Sequence, residues 1–102
     1  MAQYLLKLYV TGQSARSQRA ISNLRRLCES QLVGRCEMCV IDVLERPQVA
    51  EEEKIMATPT VVKELPLPMR RIIGDLSDWE TVLLGLDLQP QEPAAPDAGV
   101  QA

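Results

Sequence analysis

The tightest constraint on the fold comes from residues 3–10, a strand that is mostly apolar on both faces. Tyr4, Leu6, Leu8 and Val10 alternate onto one side, and Leu5, Lys7 and Tyr9 onto the other. Such a strand belongs inside a sheet that is covered on both sides. The next segment supplies the first cover. Thr11-Gly12 is a turn, and Ser14 or Ser17 is placed to cap a helix. Ala20, Ile21, Leu24, Leu27, Cys28 and Leu32 then recur at the three-and-four spacing of a single buried stripe, and Gly34 ends it. Residues 35–43 read as a second strand that closes on Ile41-Asp42-Val43. Strand, helix and strand at this spacing imply a right-handed parallel βαβ unit.

The second half is more ambivalent. Pro47 suits the first turn of a short helix, with Val49, Ala50 and Met56 expected inward and Glu51, Glu52 and Glu53 outward. Pro59 precedes Thr60-Val61-Val62, so it marks the start of a strand, because proline cannot donate to a ladder. The Thr58–Pro59 bond is a candidate cis bond. Strands are expected at residues 60–63 and 69–73. Ser77-Asp78-Trp79-Glu80 matches a capping box with Ser77 as N-cap, opening a helix that buries Trp79, Val82, Leu83 and Leu86. Residues 82–88 satisfy a helical stripe, yet Leu84, Leu86 and Leu88 also alternate like a strand. Gly85 costs a helix interior about 1 kcal/mol against alanine. Asp87 faces the negative end of the helix dipole, unfavourable by about 0.3–1 kcal/mol. Residues 1–88 are expected to form one domain, and the Pro/Ala-rich residues 89–102 a disordered tail.

Composition narrows the function. A net charge of −3 over 102 residues argues against a nucleic-acid binder. The charge is uneven: residues 11–35 carry about +4 and residues 42–53 about −4, which reads either as two solvated helix faces or as a polar docking surface for a protein partner. The start has no basic region followed by a long apolar run, so neither a signal peptide nor a membrane span is expected, and the chain is placed in the cytoplasm with its three cysteines reduced. Cys36-Glu37-Met38-Cys39 is a C-x-x-C, but it falls in a strand, where residues three apart point to opposite faces. With no histidine in the chain, no Ser/His/Asp set, no Cys/His set and no histidine-containing metal site is possible. The five glycines form no phosphate-cradling loop. No catalytic site, cofactor or metal is expected.

The element order resembles the thioredoxin fold, with Thr58-Pro59-Thr60 where thioredoxins place their cis-proline and Gly12-Gln13-Ser14-Ala15-Arg16-Ser17 where they carry C-x-x-C. A closer resemblance is to the KaiB family of bacterial circadian clock proteins. It is carried by Leu6-Lys7-Leu8-Tyr9-Val10 with Gly12, by Val40-Ile41-Asp42-Val43-Leu44, and by Pro47-Gln48 with Ala50-Glu51-Glu52. It continues through Lys54-Ile55, Ala57-Thr58-Pro59-Thr60, Leu65-Pro66 and Pro68, then Arg70-Arg71-Ile72-Ile73-Gly74-Asp75-Leu76-Ser77-Asp78, and Val82-Leu83 with Gly85-Leu86-Asp87-Leu88. The resemblance implies an α/β fold whose N-terminal βαβ half is fixed. The C-terminal half switches between a βααβ-like arrangement in a homotetramer and a thioredoxin-like αββα arrangement in a monomer. It implies a non-enzymatic clock component that binds a KaiC-type ATPase hexamer, competes with a sensor histidine kinase for the same site, and in some systems captures KaiA. Arg19, Lys54 and Arg71 become candidate partner contacts, and Pro59, Pro66, Pro68, Gly85 and Asp87 candidate fold-switch residues. Two other readings stay open: a thioredoxin-like redox protein using Cys36 and Cys39, and a thioredoxin-fold interaction domain in another signalling pathway.

Overall fold

The computed structural model describes residues 4–89. Along them run β1 (Tyr4–Val10), α1 (Ala15–Gln31), β2 (Cys36–Asp42), α2 (Pro47–Glu52), β3 (Thr60–Leu65), β4 (Arg70–Ile73) and α3 (Trp79–Gly85). One four-stranded sheet has the order β2-β1-β3-β4. The first two strands are parallel, and β3 is antiparallel to both β1 and β4. The two-faced strand read from the sequence is therefore an interior one. The C-terminal half has the αββα order.

Alternation in β1 sorts the two faces of the sheet. Tyr4, Leu6, Leu8 and Val10 join Ala20, Leu24 and Leu27 of α1, and Val82, Leu86 and Leu88 of the α3 region, in one buried aliphatic cluster. Burying each of these leucines and valines contributes about 1.5–3 kcal/mol. Tyr9 and Val62 are also buried but lie outside that cluster, on the opposite face, the side toward α2.

Local chemistry explains the start of α1. The Ser14 hydroxyl accepts the Ser17 backbone N–H at 3.2 Å, so Ser14 is the N-cap. Ser17 is buried, and its hydroxyl accepts from the Thr11 N–H at 3.0 Å and the Ser14 hydroxyl at 2.9 Å. Both serines singled out by the sequence are thus used, in different roles.

Three local expectations are corrected. The N-cap of α3 is Asp78, not Ser77: its carboxylate accepts from the Thr81 N–H at 3.3 Å and the Thr81 hydroxyl at 2.9 Å. Glu80 then sits in the first turn, where its charge suits the dipole. Met56 is not inward but 89% exposed, because α2 ends at Glu52 and Lys54 adopts a left-handed φ of 56° that breaks the helical period. Gly85 is not merely a weak helix former. A Cβ there would lie 2.5 Å from Ile72 Cδ1 and 3.1 Å from Ile72 Cγ1, so its lack of a side chain lets α3 close against β4.

In residues 82–88 the helix wins. Beyond Gly85 the Asp87 N–H donates to the Leu84 carbonyl at 3.2 Å and the Leu88 N–H to the Leu83 carbonyl at 2.9 Å. With Asp87 at φ 56°, this is a Schellman ending in which aspartate fills the usual glycine position. The bonds preceding Pro59, Pro66 and Pro68 are all cis. Of the expected tail only Gln89 belongs to the described residues.

Candidate partner-binding surface

The three candidate contact residues fall on two sites. Lys54 and Arg71 come together on the α2 side of the sheet. Arg71 lies in β4 opposite Val62, and neighbouring Ile72 packs the other way, against the aliphatic cluster. The Arg71 guanidinium donates to the Lys54 carbonyl through Nη1 at 3.0 Å and to the Glu53 carbonyl through Nη2 at 3.0 Å. A fork of two donors at fixed spacing suits two adjacent carbonyls, which a lysine ammonium would not clamp in the same way. Arg71 therefore holds the turn, and the exposed Lys54 is the cation that the turn presents to solvent.

Arg19 is elsewhere. It projects from α1, and its Nε meets the Asp75 carboxylate at 3.3 Å in the loop before α3. Asn23, one turn further along α1, donates to the Asp75 carbonyl at 2.8 Å. Ser77's hydroxyl and backbone N–H, together with the Arg19 guanidinium, hold the Asp75 carboxyl below the usual carboxylate range. Asp75 and Asn23 were not singled out from the sequence. Asp75 stood within the Gly74-Asp75-Leu76-Ser77 run that carries the family resemblance, but the helix that it would reach was not visible.

Charge is divided between the faces as well. Arg16, Arg19, Arg25 and Arg26 are exposed on α1, while Glu51 and Glu52 are exposed on α2 across the sheet. The basic and acidic stretches thus form separate patches and do not face each other. Between α2 and the sheet lies a cleft of about 540 Å³ lined by Lys7, Cys39, Val40, Ile41, Arg46 and Val49. Lys7 pairs there with Glu64 at 3.2 Å, and that hydrogen bond raises the pKa of its ammonium.

The place where a thioredoxin keeps its dithiol is built differently. The Thr11 and Thr58 hydroxyls bond to each other beside Pro59, and the Gly12 N–H donates to Asp42 Oδ1 at 3.0 Å. The same Asp42 oxygen accepts from the Leu44 N–H at 2.9 Å, tying the β1–α1 turn to the end of β2. Cys36 and Cys39 both lie in β2, paired with Tyr4 and Lys7 respectively, and so on opposite faces as the spacing predicts.

The family model for the KaiB domain matches residues 7–88. This chain belongs to the KaiB family. It is 56% identical over 91 residues to circadian clock protein KaiB3 of Synechocystis sp., covering 89% of each chain. It is 59% identical over 85 residues to circadian clock oscillator protein KaiB of Synechococcus elongatus, covering 83% of each. Among solved structures, it is similar to the N-terminal domain of Synechococcus elongatus SasA, with a TM-score of 0.69, 24% identity and coverage of 91% of both chains. Mitochondrial thioredoxin 3 of Saccharomyces cerevisiae gives a TM-score of 0.67 at 19% identity, covering 85% of this chain and 79% of that one. The KaiB sequence is thus carried here on a thioredoxin-like fold. Among the described residues no helix is long and apolar enough to cross a membrane.

Proposed function

We propose that this chain is a non-enzymatic clock adaptor that docks on a KaiC-type ATPase hexamer in the cytoplasm and regulates its phosphorylation cycle. The observation that carries the reading is a KaiB-family sequence on a fold shared with the SasA N-terminal domain. Two chains of one shape suit competition for one site on a ring, which makes a sensor histidine kinase the natural competitor. KaiA, where a system has it, is a further partner of the docked complex. In this reading the αββα arrangement is the partner-competent state. A βααβ-like arrangement of the same C-terminal half, assembled as a homotetramer or dimer, is the resting state. Pro59, Pro66, Pro68, Gly85 and Asp87 lie in the half that exchanges.

Lys54 is the proposed electrostatic contact, set in place by Arg71, with Arg19 at the periphery. The test is association of the full chain with purified KaiC-type hexamers, measured across salt concentrations. Lys54→Glu should weaken binding about tenfold at low salt, with less difference at high salt, because exposed charge pairs are screened. Wild-type affinity in Lys54→Glu at every ionic strength removes Lys54 from the surface. Failure of the wild-type chain to bind any KaiC-type ring overturns the function itself.

A further inference from the structure

The cleft between α2 and the sheet does not include the turn at Lys54. It exists because α2 is short. That helix spans only Pro47–Glu52 and buries none of its residues, whereas α1 buries Ser17, Ala20, Leu24 and Leu27 on the other face. The sheet is left partly uncovered beside α2. The opening of about 540 Å³ falls within the range of about 300–1,000 Å³ usual for small-molecule sites. Its lining is chemically mixed. Val40, Ile41 and Val49 supply apolar surface, and Cys39 a weakly polar thiol. The two charged lining residues, Lys7 and Arg46, are both cations. Lys7 is matched by Glu64 at 3.2 Å. Arg46 is exposed, and its guanidinium has no ion pair among the described residues. Tyr9 stands next to Ile41, its register partner, on the same face of the sheet. It is fully buried, and its hydroxyl has no hydrogen-bond partner. A buried hydroxyl left open marks a place where a water or a ligand oxygen completes the bonding.

We propose that this cleft binds a small organic anion with an apolar body, an aryl or branched-alkyl carboxylate or sulfonate. The anionic head meets Arg46, whose planar fork of donors suits paired oxygens. The body displaces water from Ile41 and Val49, which adds hydrophobic affinity. A cationic ligand would meet like charge at Arg46, and a neutral hydrocarbon would leave that guanidinium unmatched. The site is on the face of the sheet away from α1, so the exposed Arg16, Arg19, Arg25 and Arg26 take no part in it. Cys39 lies in the lining, so its thiol reports whether the cleft is filled. Cys28 and Cys36 pack against the aliphatic cluster on the other face and serve as internal controls.

A thiol footprint of the full chain decides it, with anilinonaphthalene sulfonate, an aromatic sulfonate, as the probe. The reduced protein is alkylated with iodoacetamide over time, with and without saturating probe, then cut with trypsin and read by mass spectrometry. Cleavage after Arg26, Arg35 and Lys54 puts Cys28 in residues 27–35, and Cys36 with Cys39 in residues 36–54, because Arg46 precedes a proline and is skipped. Fragmentation of the second peptide separates its two cysteines. The probe should slow alkylation of Cys39 and leave the rates at Cys28 and Cys36 unchanged. Phenyl naphthylamine, the same body without the sulfonate, should bind about fivefold more weakly, and so should the probe to Arg46→Gln, the size of one exposed charge pair. Arg25→Gln, on the other face, should bind the probe as the wild type does. An unprotected Cys39, protection of Cys28 in its place, equal affinity for the two probes, or equal losses in Arg46→Gln and Arg25→Gln overturns the proposal. The wild-type footprint needs no variant, so a substitution that fails to fold does not spare it.

Discussion

Replacing Gly85 with alanine separates two accounts of the same residue. Helix propensity alone gives a gain of about 1 kcal/mol. Packing opposes it, because the new Cβ would sit 2.5 Å from Ile72 Cδ1, where carbon atoms rest at about 3.5–4.0 Å. Ile72 must rotate away, at about 0.5–1.5 kcal/mol for a strained side chain and about 1–3 kcal/mol if the core around it moves as well. The expected net change for Gly85→Ala is therefore a loss of about 0–2 kcal/mol. Ile72→Val removes Cδ1 and leaves the 3.1 Å contact with Cγ1, which a few tenths of an ångström relieve. In that background Gly85→Ala should stabilise by about 0.5 kcal/mol, set against about 0.5–1.5 kcal/mol for Ile72→Val alone. The coupling energy should then be about 0.5–2.5 kcal/mol. Urea unfolding of the four proteins at one chain concentration, with equal m-values, measures it. The Ile72 Cδ1 methyl resonance should also move in the single Gly85→Ala variant. A gain of about 1 kcal/mol in both backgrounds, with that resonance unmoved, would falsify the packing account.

Other substitutions test the contacts that position the surface. Asp87→Gly should raise stability by about 1 kcal/mol in urea unfolding, since glycine accepts φ 56° without a Cβ penalty and removes an acid from the helix C-terminus; an unchanged midpoint counts against the Schellman ending. Asp75→Asn should flatten the acid limb of the stability curve: a depressed carboxylate contributes fully above its unfolded pKa of about 4, and that contribution is lost as pH falls through the folded value. Identical wild-type and variant slopes in acid would dismiss the Ser77 and Arg19 contacts as stabilising. Arg71→Met should cost about 0.5–1 kcal/mol and speed amide exchange at Lys54 and Ile55, whose N–H groups bond to Glu51 and Ala50 in the clamped turn; unchanged protection would mean that the turn holds itself.

Much of the fold was legible because its signals are periodic. β1 alternates and α1 keeps one stripe, and both run as read apart from end residues, with Gln3 outside the described part. β3 runs on from Lys63 to Leu65, and β4 starts at Arg70 where Met69 was expected. The extension of β3 pairs with β1 across a register shift beside Leu5 and Leu6, and β4 begins where Arg70 pairs with Lys63. What stayed hidden depends on the backbone turning against local preference. Lys54, Leu76 and Asp87 all adopt a positive φ without being glycine, and only aspartate belongs to the residue types that favour it. Two of the three decide local structure: Lys54 ends the α2 period and exposes Met56, and Asp87 closes α3. At α3 the capping-box pattern pointed to Ser77 with Glu80, whereas the cap that forms is one residue on, Asp78 with Thr81. The candidate surface was legible only as single positions. That Arg71 meets Lys54 while Arg19 meets Asp75 is a matter of which strand face and which helix they share, which spacing along the chain does not encode.

The clamp between Arg71 and the turn at Lys54 makes the surface a parity reading of the edge strand. Consecutive residues of β4 point to opposite sides, so Arg71 reaches the α2 side only while Ile72 points to the core. A slip of one residue along β3 that set Ile72 opposite Val62 would put an isoleucine where the guanidinium stands, and the Glu53 and Lys54 carbonyls would lose both donors. No intermediate setting exists, because the alternation has only two values. The turn around Lys54 is thereby tied, across 17 positions of chain, to the frame in which the last strand pairs.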